Sequence, residues 1–264
     1  MAVLTVKKLQ ENIYKFNENG HDDVDAFLVI GDKKAVMIDG LMDAKGMFEE
    51  ARKLTALPME MLITHGHPDH AGMGTKEFIE AGCPVYIMTD DRKLLPEFGI
   101  DYPKEALLEI NDGDIFDLGG MTLKVIALPG HTHGSFILYC PEKNVIFSSD
   151  ALGSGDIWMW LDHSTTLTEF KKNLTPVLEF IRTIPDVMIY PGHTNQIPDY
   201  RGDGDAHIDL AYVEDLMAVT TDLIDGRKIG NRIENAPEMM KGVEVCTTTG
   251  NIMIGYTYDR QRIR

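Results

Sequence analysis

Apolar and polar positions along the first forty residues follow the period of strands, not helices. Residues 4–9 and 13–16 alternate loosely, and residues 26–30 and 35–39, joined across Gly31-Asp32, read as a hairpin. The period then changes. Met47, Phe48, Ala51, Leu54 and Ala56 share one helical face, predicting a helix over 45–57 that Pro58 ends. Met61-Leu62-Ile63-Thr64 is a short apolar run of the buried-strand kind, and it leads directly into His65-Gly66-His67-Pro68-Asp69-His70. A helix over 71–81, closed by Gly82, and a strand over 84–88 come next. Strands are predicted over 114–118 and 121–128 about Gly119-Gly120, then over 136–140 and 144–147. Helical spacing returns over 167–182. A strand over 186–190 runs into Pro191-Gly192-His193, a helix is expected over 206–225, and one last strand near 243–258 closes the pattern. This order predicts an α/β sandwich with mixed sheets, not a regular barrel. No repeat, low-complexity tract or Pro/Gly/Ser linker interrupts it, so residues 1–264 are read as a single domain.

Composition acts mainly by exclusion. The chain is 44% hydrophobic and 25% charged, ordinary for a globular protein. Its 25 Lys+Arg against 42 Asp+Glu give a formal net charge of −17. Nucleic-acid binding depends on cationic side chains neutralising phosphates, and no basic stripe exists, so no nucleic-acid partner is expected. An anionic membrane surface would repel the chain, and no run of 18 apolar residues predicts a span. The first residues lack the apolar core of a signal peptide, which predicts a cytoplasmic location. Cys83, Cys140 and Cys246 are widely spaced and form no CxxC pair, so neither a disulfide framework nor a thiolate-rich zinc site is expected.

Candidate chemistry gathers at the ends of predicted strands. His65, His67, His70, His131 and His193 sit there, as do Asp69 and Asp150. Imidazole nitrogens and carboxylate oxygens are the ligands of borderline divalent metals. His65 and His67, two apart on an extended segment, point to one side. Asp69 and His70 follow where the backbone turns into a helix and face a second point, so one short segment can serve two adjacent metals. A single histidine at a strand end is ordinarily a packed or surface residue. Four ligand side chains within six residues are a different matter.

These residues resemble the metallo-β-lactamase-fold hydrolases. His65-Gly66-His67-Pro68-Asp69-His70 matches that family's HxHxDH signature, and Pro129-Gly130-His131-Thr132-His133-Gly134-Ser135 looks like its PGHTxGS element. Phe147-Ser148-Ser149-Asp150 resembles its bridging-aspartate strand, Ile189-Tyr190-Pro191-Gly192-His193 its last-histidine strand, and Ile38-Asp39-Gly40 its early aspartate. Separations of 61, 19 and 43 residues between His70, His131, Asp150 and His193 also fit. The resemblance implies an αββα sandwich of two mixed β-sheets flanked by helices. It implies one metal held by His65, His67 and His131, a second by Asp69, His70 and His193, and Asp150 between the two. Asp39 would orient a ligand imidazole, although a plain turn aspartate before Gly40 would look the same.

The implied activity is that of a dinuclear-metal hydrolase that cleaves a small ester, thioester or lactone with a metal-bridging hydroxide. Asp69 would be both ligand and proton carrier. Two divalent ions are expected, zinc first, with iron or manganese as alternatives. Ser135, Ser148 and Ser149 read as structural, despite the nearby His133. Two alternatives stay open. One is a mononuclear-iron oxidoreductase of the persulfide-dioxygenase type, with His65, His131 and Asp150 as its triad; the other is a β-lactamase-like amide hydrolase. Glyoxalase-II-like thioesterases append a helical glutathione-binding domain, and the 71 residues after His193 leave little room for one. Trp158 and Trp160, the only tryptophans, follow the bridging aspartate. As a pocket wall they would bind an apolar or aromatic part of a small-molecule substrate, or meet a second copy of the chain in a homo-oligomer; packing on the domain's own core is the alternative. The loop over 19–23 is a second candidate rim.

Overall fold

A computed structural model of the chain describes residues 3–19, 23–197, 207–232, 240, 243–249 and 253–259. One sheet takes its seven strands in chain order: β1 (Val3–Gln10), β2 (Ile13–Asn19), β3 (Val24–Ile30), β4 (Ala35–Ile38), β5 (Met59–Ile63), β6 (Val85–Ile87) and β7 (Leu107–Glu109). β1 to β4 pair antiparallel and β4 to β7 parallel. The second sheet is ordered β8 (Ile115–Asp117), β9 (Thr122–Ala127), β10 (Phe136–Cys140), β11 (Val145–Ser149) and β13 (Met188–Pro191), antiparallel except for β11 with β13.

The two-residue period of the strands sorts their side chains into layers. Phe27, Val29, Val36, Ile38 and Leu62 of the first sheet pack with Phe136, Leu138, Val145 and Phe147 of the second. The alternate residues Ala26, Leu28, Met37 and Met61 meet α1 (Met47–Leu54) and α3 (Met73–Glu80) through Met47, Ala51 and Phe78. Ile137, Ile146 and Ile189 face α5 (Leu167–Ile181) and α6 (Leu210–Ile224). The layers are helix, sheet, sheet, helix, the mixed α/β architecture expected. α5 begins at a capping box, in which the Thr166 hydroxyl accepts from Glu169 N–H and the Glu169 carboxylate accepts from Thr166 N–H.

Several elements depart from the sequence reading, among them β7, which no predicted strand covers. The helix expected over 71–81 is two, α2 (Pro68–Ala71) and α3, broken at Gly72, whose ψ of −134° is not helical. A small third sheet joins β12 (Asp156–Met159), β16 (Met253–Asp259), β15 (Val243–Thr249) and β14 (Asn231–Arg232). Its β15 and β16 form an antiparallel pair with Thr249 opposite Met253, so the single last strand is two. β12 lies where no strand is predicted, and only four of its residues pair, parallel to β16. α6 starts at Leu210, where the Asp209 side chain accepts from Tyr212 N–H; residue 206, its expected start, lies outside the described residues. No described helix is long and apolar enough to cross a membrane.

Candidate metal centre

The site lies where strands of both sheets end. β5 delivers Thr64 and His65, α2 begins one residue beyond His67, and β11 and β13 end beside Asp150 and His193. Nitrogens of His65, His67 and His131 converge: His67 Nδ1 lies 3.1 Å from His65 Nε2 and 2.9 Å from His131 Nε2. Ligand atoms of Asp69, His70, Asp150 and His193 form a second group, again within 4.8 Å of one another. Asp150 reaches both. Its Oδ2 is 3.3 Å from His193 Nε2 and 3.8 Å from His131 Nε2, and its Oδ1 is 3.7 Å from His70 Nε2. Asp69 Oδ2 lies 3.4 Å from His70 Nε2 and 3.3 Å from His193 Nε2. All seven residues that the sequence nominated as ligands are thus brought together, in two groups that meet at Asp150.

A buried frame aims these side chains. Asp39 Oδ1 accepts from Thr64 N–H (2.8 Å), and its Oδ2 accepts from Ser149 Oγ and faces His70 Nδ1, both at 2.9 Å. Asp39 and Ser149 both hold left-handed backbone, at φ 65° and 45°, so each stores on the order of 1 kcal/mol of strain where their side chains meet. Thr64 Oγ1 also lies 3.2 Å from His65 Nδ1. Gly192 must be glycine, because a Cβ there would sit 2.3 Å from Asp150 Oδ1 and 2.8 Å from His70 Cε1.

Three further residues went unnoticed in the sequence. Asp91, on the short α4 (Thr89–Arg92), is fully buried and accepts from Gly66 N–H (2.7 Å), Thr132 Oγ1 (2.6 Å) and Gly134 N–H (2.6 Å). It therefore ties the His65–His67 loop to the His131 loop. Burial raises its pKa, against these hydrogen bonds. Asp25, buried on β3, accepts from Thr194 N–H (2.9 Å) and the Thr194 hydroxyl (2.5 Å), beside His193. His163 lies 2.6 Å from His67, Nε2 to Nε2. None of the three belongs to a motif; only their polarity beside apolar runs could have drawn attention.

Over the site opens a cavity of about 360 Å³, within the range of small-molecule pockets. Ligand residues form its floor, and Met42, Phe98, Ile157, Trp158 and Leu161 its apolar walls, with Asp156, Asn195 and Gln196 at the polar side. The two tryptophans separate here. Trp158 is 46% exposed and lines the cavity, whereas Trp160 is 8% exposed and does not line it. β12 ends at Met159, so the strand alternation that would have placed both on one face stops between them. Trp160 is corrected to a packed residue, its ring 6.0 Å from that of Trp158. The rim expected over 19–23 cannot be placed, because residues 20–22 lie outside the described residues.

The donor set fits divalent cations. His70 Nε2 and Asp150 Oδ1 are buried and, among the described residues, make no well-formed hydrogen bond. The converging nitrogens of His65, His67 and His131 cannot all satisfy one another. Around a tetrahedral zinc with nitrogens at about 2.0–2.1 Å, neighbouring donors stand roughly 3.3 Å apart, close to the spacing here. Burial, reinforced by neighbouring imidazoles, holds His65 and His67 well below the ordinary histidine pKa, the neutral form a metal requires. Burial opposes charge on His70 and His193 too, but the carboxylates outweigh it. Asp69, Asp150 and Asp39 push His70 well up, and Asp150 and Asp69 push His193 up to about 10. Asp69 and Asp150 are correspondingly held well below the carboxylate range by these histidines, against burial.

Comparisons agree with this geometry. A profile of the metallo-beta-lactamase superfamily matches residues 19–193. The hydroxyacylglutathione hydrolase of Hyphomonas neptunium is 34% identical over 131 residues, 48% of this chain and 48% of that one, so the chain spans about half the length of that relative. The hydroxyacylglutathione hydrolase GloC of Haemophilus influenzae is 27% identical over 177 residues, 61% of this chain and 81% of that one. Among solved structures, the DIM-1 metallo-beta-lactamase superposes with a TM-score of 0.66 at 16% identity, covering 84% of this chain and 99% of its own, a likeness of fold. With the matched region running from β2 to the last of the seven gathered residues, the chain belongs to the metallo-beta-lactamase superfamily.

Proposed function

We propose that the chain is a dinuclear-metal hydrolase of small esters, thioesters or lactones, with zinc as its resident ion. The observation that carries this reading is the pair of ligand groups meeting at Asp150, whose two oxygens face His70 on one side and His131 and His193 on the other. His65, His67 and His131 would hold one ion, Asp69, His70 and His193 the other, and Asp150 both. Two divalent ions so held supply an acidified water and polarise a scissile carbonyl oxygen. Nitrogen and oxygen donors without thiolate suit zinc.

The chain's own residues supply the rest. Asp69 lies on the cavity floor with its side chain 20% exposed, and His70 and His193 keep it ionised. It is placed to accept the proton that the attacking water gives up and pass it to the leaving group. Met42, Phe98, Trp158 and Leu161 favour an apolar group beyond the scissile bond, and no lysine or arginine lines the cavity among the described residues. Because two relatives carry the name hydroxyacylglutathione hydrolase, a hydroxyacyl thioester heads the substrates to try.

The test measures metal content and hydrolysis on one sample, against ester, thioester, lactone, phosphodiester and β-lactam substrates. Two zinc ions per chain are expected, with hydrolysis of one of the first three classes, abolished by chelator. Asp69→Ala should lower kcat by about 10²–10⁴-fold. A single iron per chain, or full activity in Asp69→Ala at unchanged metal content, would overturn the reading.

A further inference from the structure

Each histidine of the first group has a different partner on its far nitrogen. His65 Nδ1 lies 3.2 Å from the Thr64 hydroxyl, and His131 Nδ1 lies 2.9 Å from the Trp158 carbonyl oxygen. His67 is the odd one, because it turns Nδ1 inward toward the other two and Nε2 outward. That Nε2 meets His163 Nε2 at 2.6 Å. Two ring nitrogens this close share one proton. A metal ligand must offer a lone pair at His67 Nδ1, so the proton belongs on His67 Nε2, which then donates to His163. His163 must therefore accept through Nε2 and carry its own proton on Nδ1.

The segment bearing His163 is built to stay still. Its neighbour Ser164 is buried, donates from Oγ to the His131 carbonyl oxygen at 2.8 Å and from its N–H to the Leu161 carbonyl oxygen at 2.9 Å. Thr165 N–H donates to the Gly130 carbonyl oxygen at 2.8 Å, and Thr166 opens α5 through its capping box. The His163 ring is also packed edge-on against Phe98, which stands edge-on to His67 in turn, with centroids 5.7 and 5.5 Å apart. A two-residue step along one anchored stretch thus grips the His131 backbone and the His67 ring together.

We propose that His163 is a positioning residue of the first metal group: it fixes the tautomer and the ring angle of His67, so that Nδ1 faces His65 and His131. The inference rests on the two-ion reading above. Partners of this kind on the far nitrogen of a ligand histidine set the ligand's basicity and orientation, and their loss costs roughly 10- to 100-fold in metal affinity.

Zinc, titrated into the full-length chelator-stripped chain against a chromophoric chelator, provides the test in three proteins: wild type, His163→Phe and His163→Gln. Phenylalanine keeps a ring against Phe98 but accepts no hydrogen bond, and the glutamine amide oxygen can stand in for Nε2. In His163→Phe one zinc should bind about 10- to 100-fold more weakly and the other as in wild type, while the melting temperature of the stripped protein stays put. His163→Gln should recover most of the affinity. Equal affinity for both ions in wild type and His163→Phe would overturn the positioning role and leave the two-ion reading standing. Equal weakening in the Phe and Gln variants, or a parallel fall in stripped-protein melting temperature, would also overturn it. A wild-type chain that binds no zinc would overturn both.

Discussion

The two ligand groups sit side by side yet are steadied in opposite ways. The first is three imidazoles, each held from outside by one neighbour: the Thr64 hydroxyl, the His163 ring and the Trp158 carbonyl. The second contains its own counter-charges, because Asp69 and Asp150 face His70 and His193 at 3.3–3.7 Å. Burial therefore keeps His65 and His67 of the first group neutral and poised by geometry, whereas the second holds protons in charged pairs. A group without internal charge depends on the orientation of its far nitrogens; a group with it depends on what competes for its carboxylates.

Asp39 is where the comparison breaks most completely, since it touches both groups: it holds His70 directly and His65 by way of Thr64. Asp39→Ala strands the Thr64 N–H and hydroxyl, the Ser149 hydroxyl and His70 Nδ1 in a site nearly closed to water. Removing one partner from a buried, hydrogen-bonded pair costs about 3–5 kcal/mol. Urea unfolding should show a loss of that size, and metal analysis should show both ions depleted. Retention of either ion at wild-type affinity would mean that the two groups do not share this frame.

Asp91 separates the groups and has a smaller effect. It contacts only the loops of the first, through Gly66, Thr132 and Gly134. In Asp91→Ala two buried N–H donors lose their acceptor, a cost of about 1–3 kcal/mol each that loop relaxation and the lifted burden of a buried carboxylate will trim. The expected outcome is a chain that still folds, with metal content falling from two ions toward one. Loss of both ions would show that the second group leans on the first.

Sequence reading reached these groups unevenly, for physical reasons. The gathering of the seven side chains was legible because their spacing follows from local geometry: an extended His65-Gly66-His67 and a turn into α2 dictate where four of them point. The layers were legible too, since β3 and β10 alternate between two cores. Asp91 and His163 were not, because each meets its partner across a gap in sequence, 41 residues from Asp91 to Thr132 and 96 from His67 to His163. No local period marks a residue whose contacts are all distant. β12 escaped for the same reason, being ordered by β16 about a hundred positions later. Trp160 is packed because β12 ends at Met159, one residue before it.

The finest division between the groups is in their response to pH once metal is stripped away. His65 and His67 have pKa values pushed below the unfolded value of about 6.5, so the folded chain takes up these protons later than the unfolded chain does. Their contribution is present above that pH and is lost progressively in acid. His193 runs the other way. Raised to about 10 by Asp150 and Asp69 against burial, it contributes stability fully below about pH 6.5 and loses it as pH climbs through 10. His70, also raised, adds to the same alkaline limb. Melting temperature in excess chelator should therefore peak near neutrality and fall on both sides. His193→Gln should flatten the alkaline side. On the proposed two-zinc reading, zinc would replace the protons of the second group, so loading at pH 8 should release protons into a weak buffer and hold the alkaline side up. His65 and His67 have none to release. A variant lacking His67 should then give proton release close to wild type, and one lacking His193 clearly less; equal release from both variants would erase the division between a group poised by geometry and a group poised by charge.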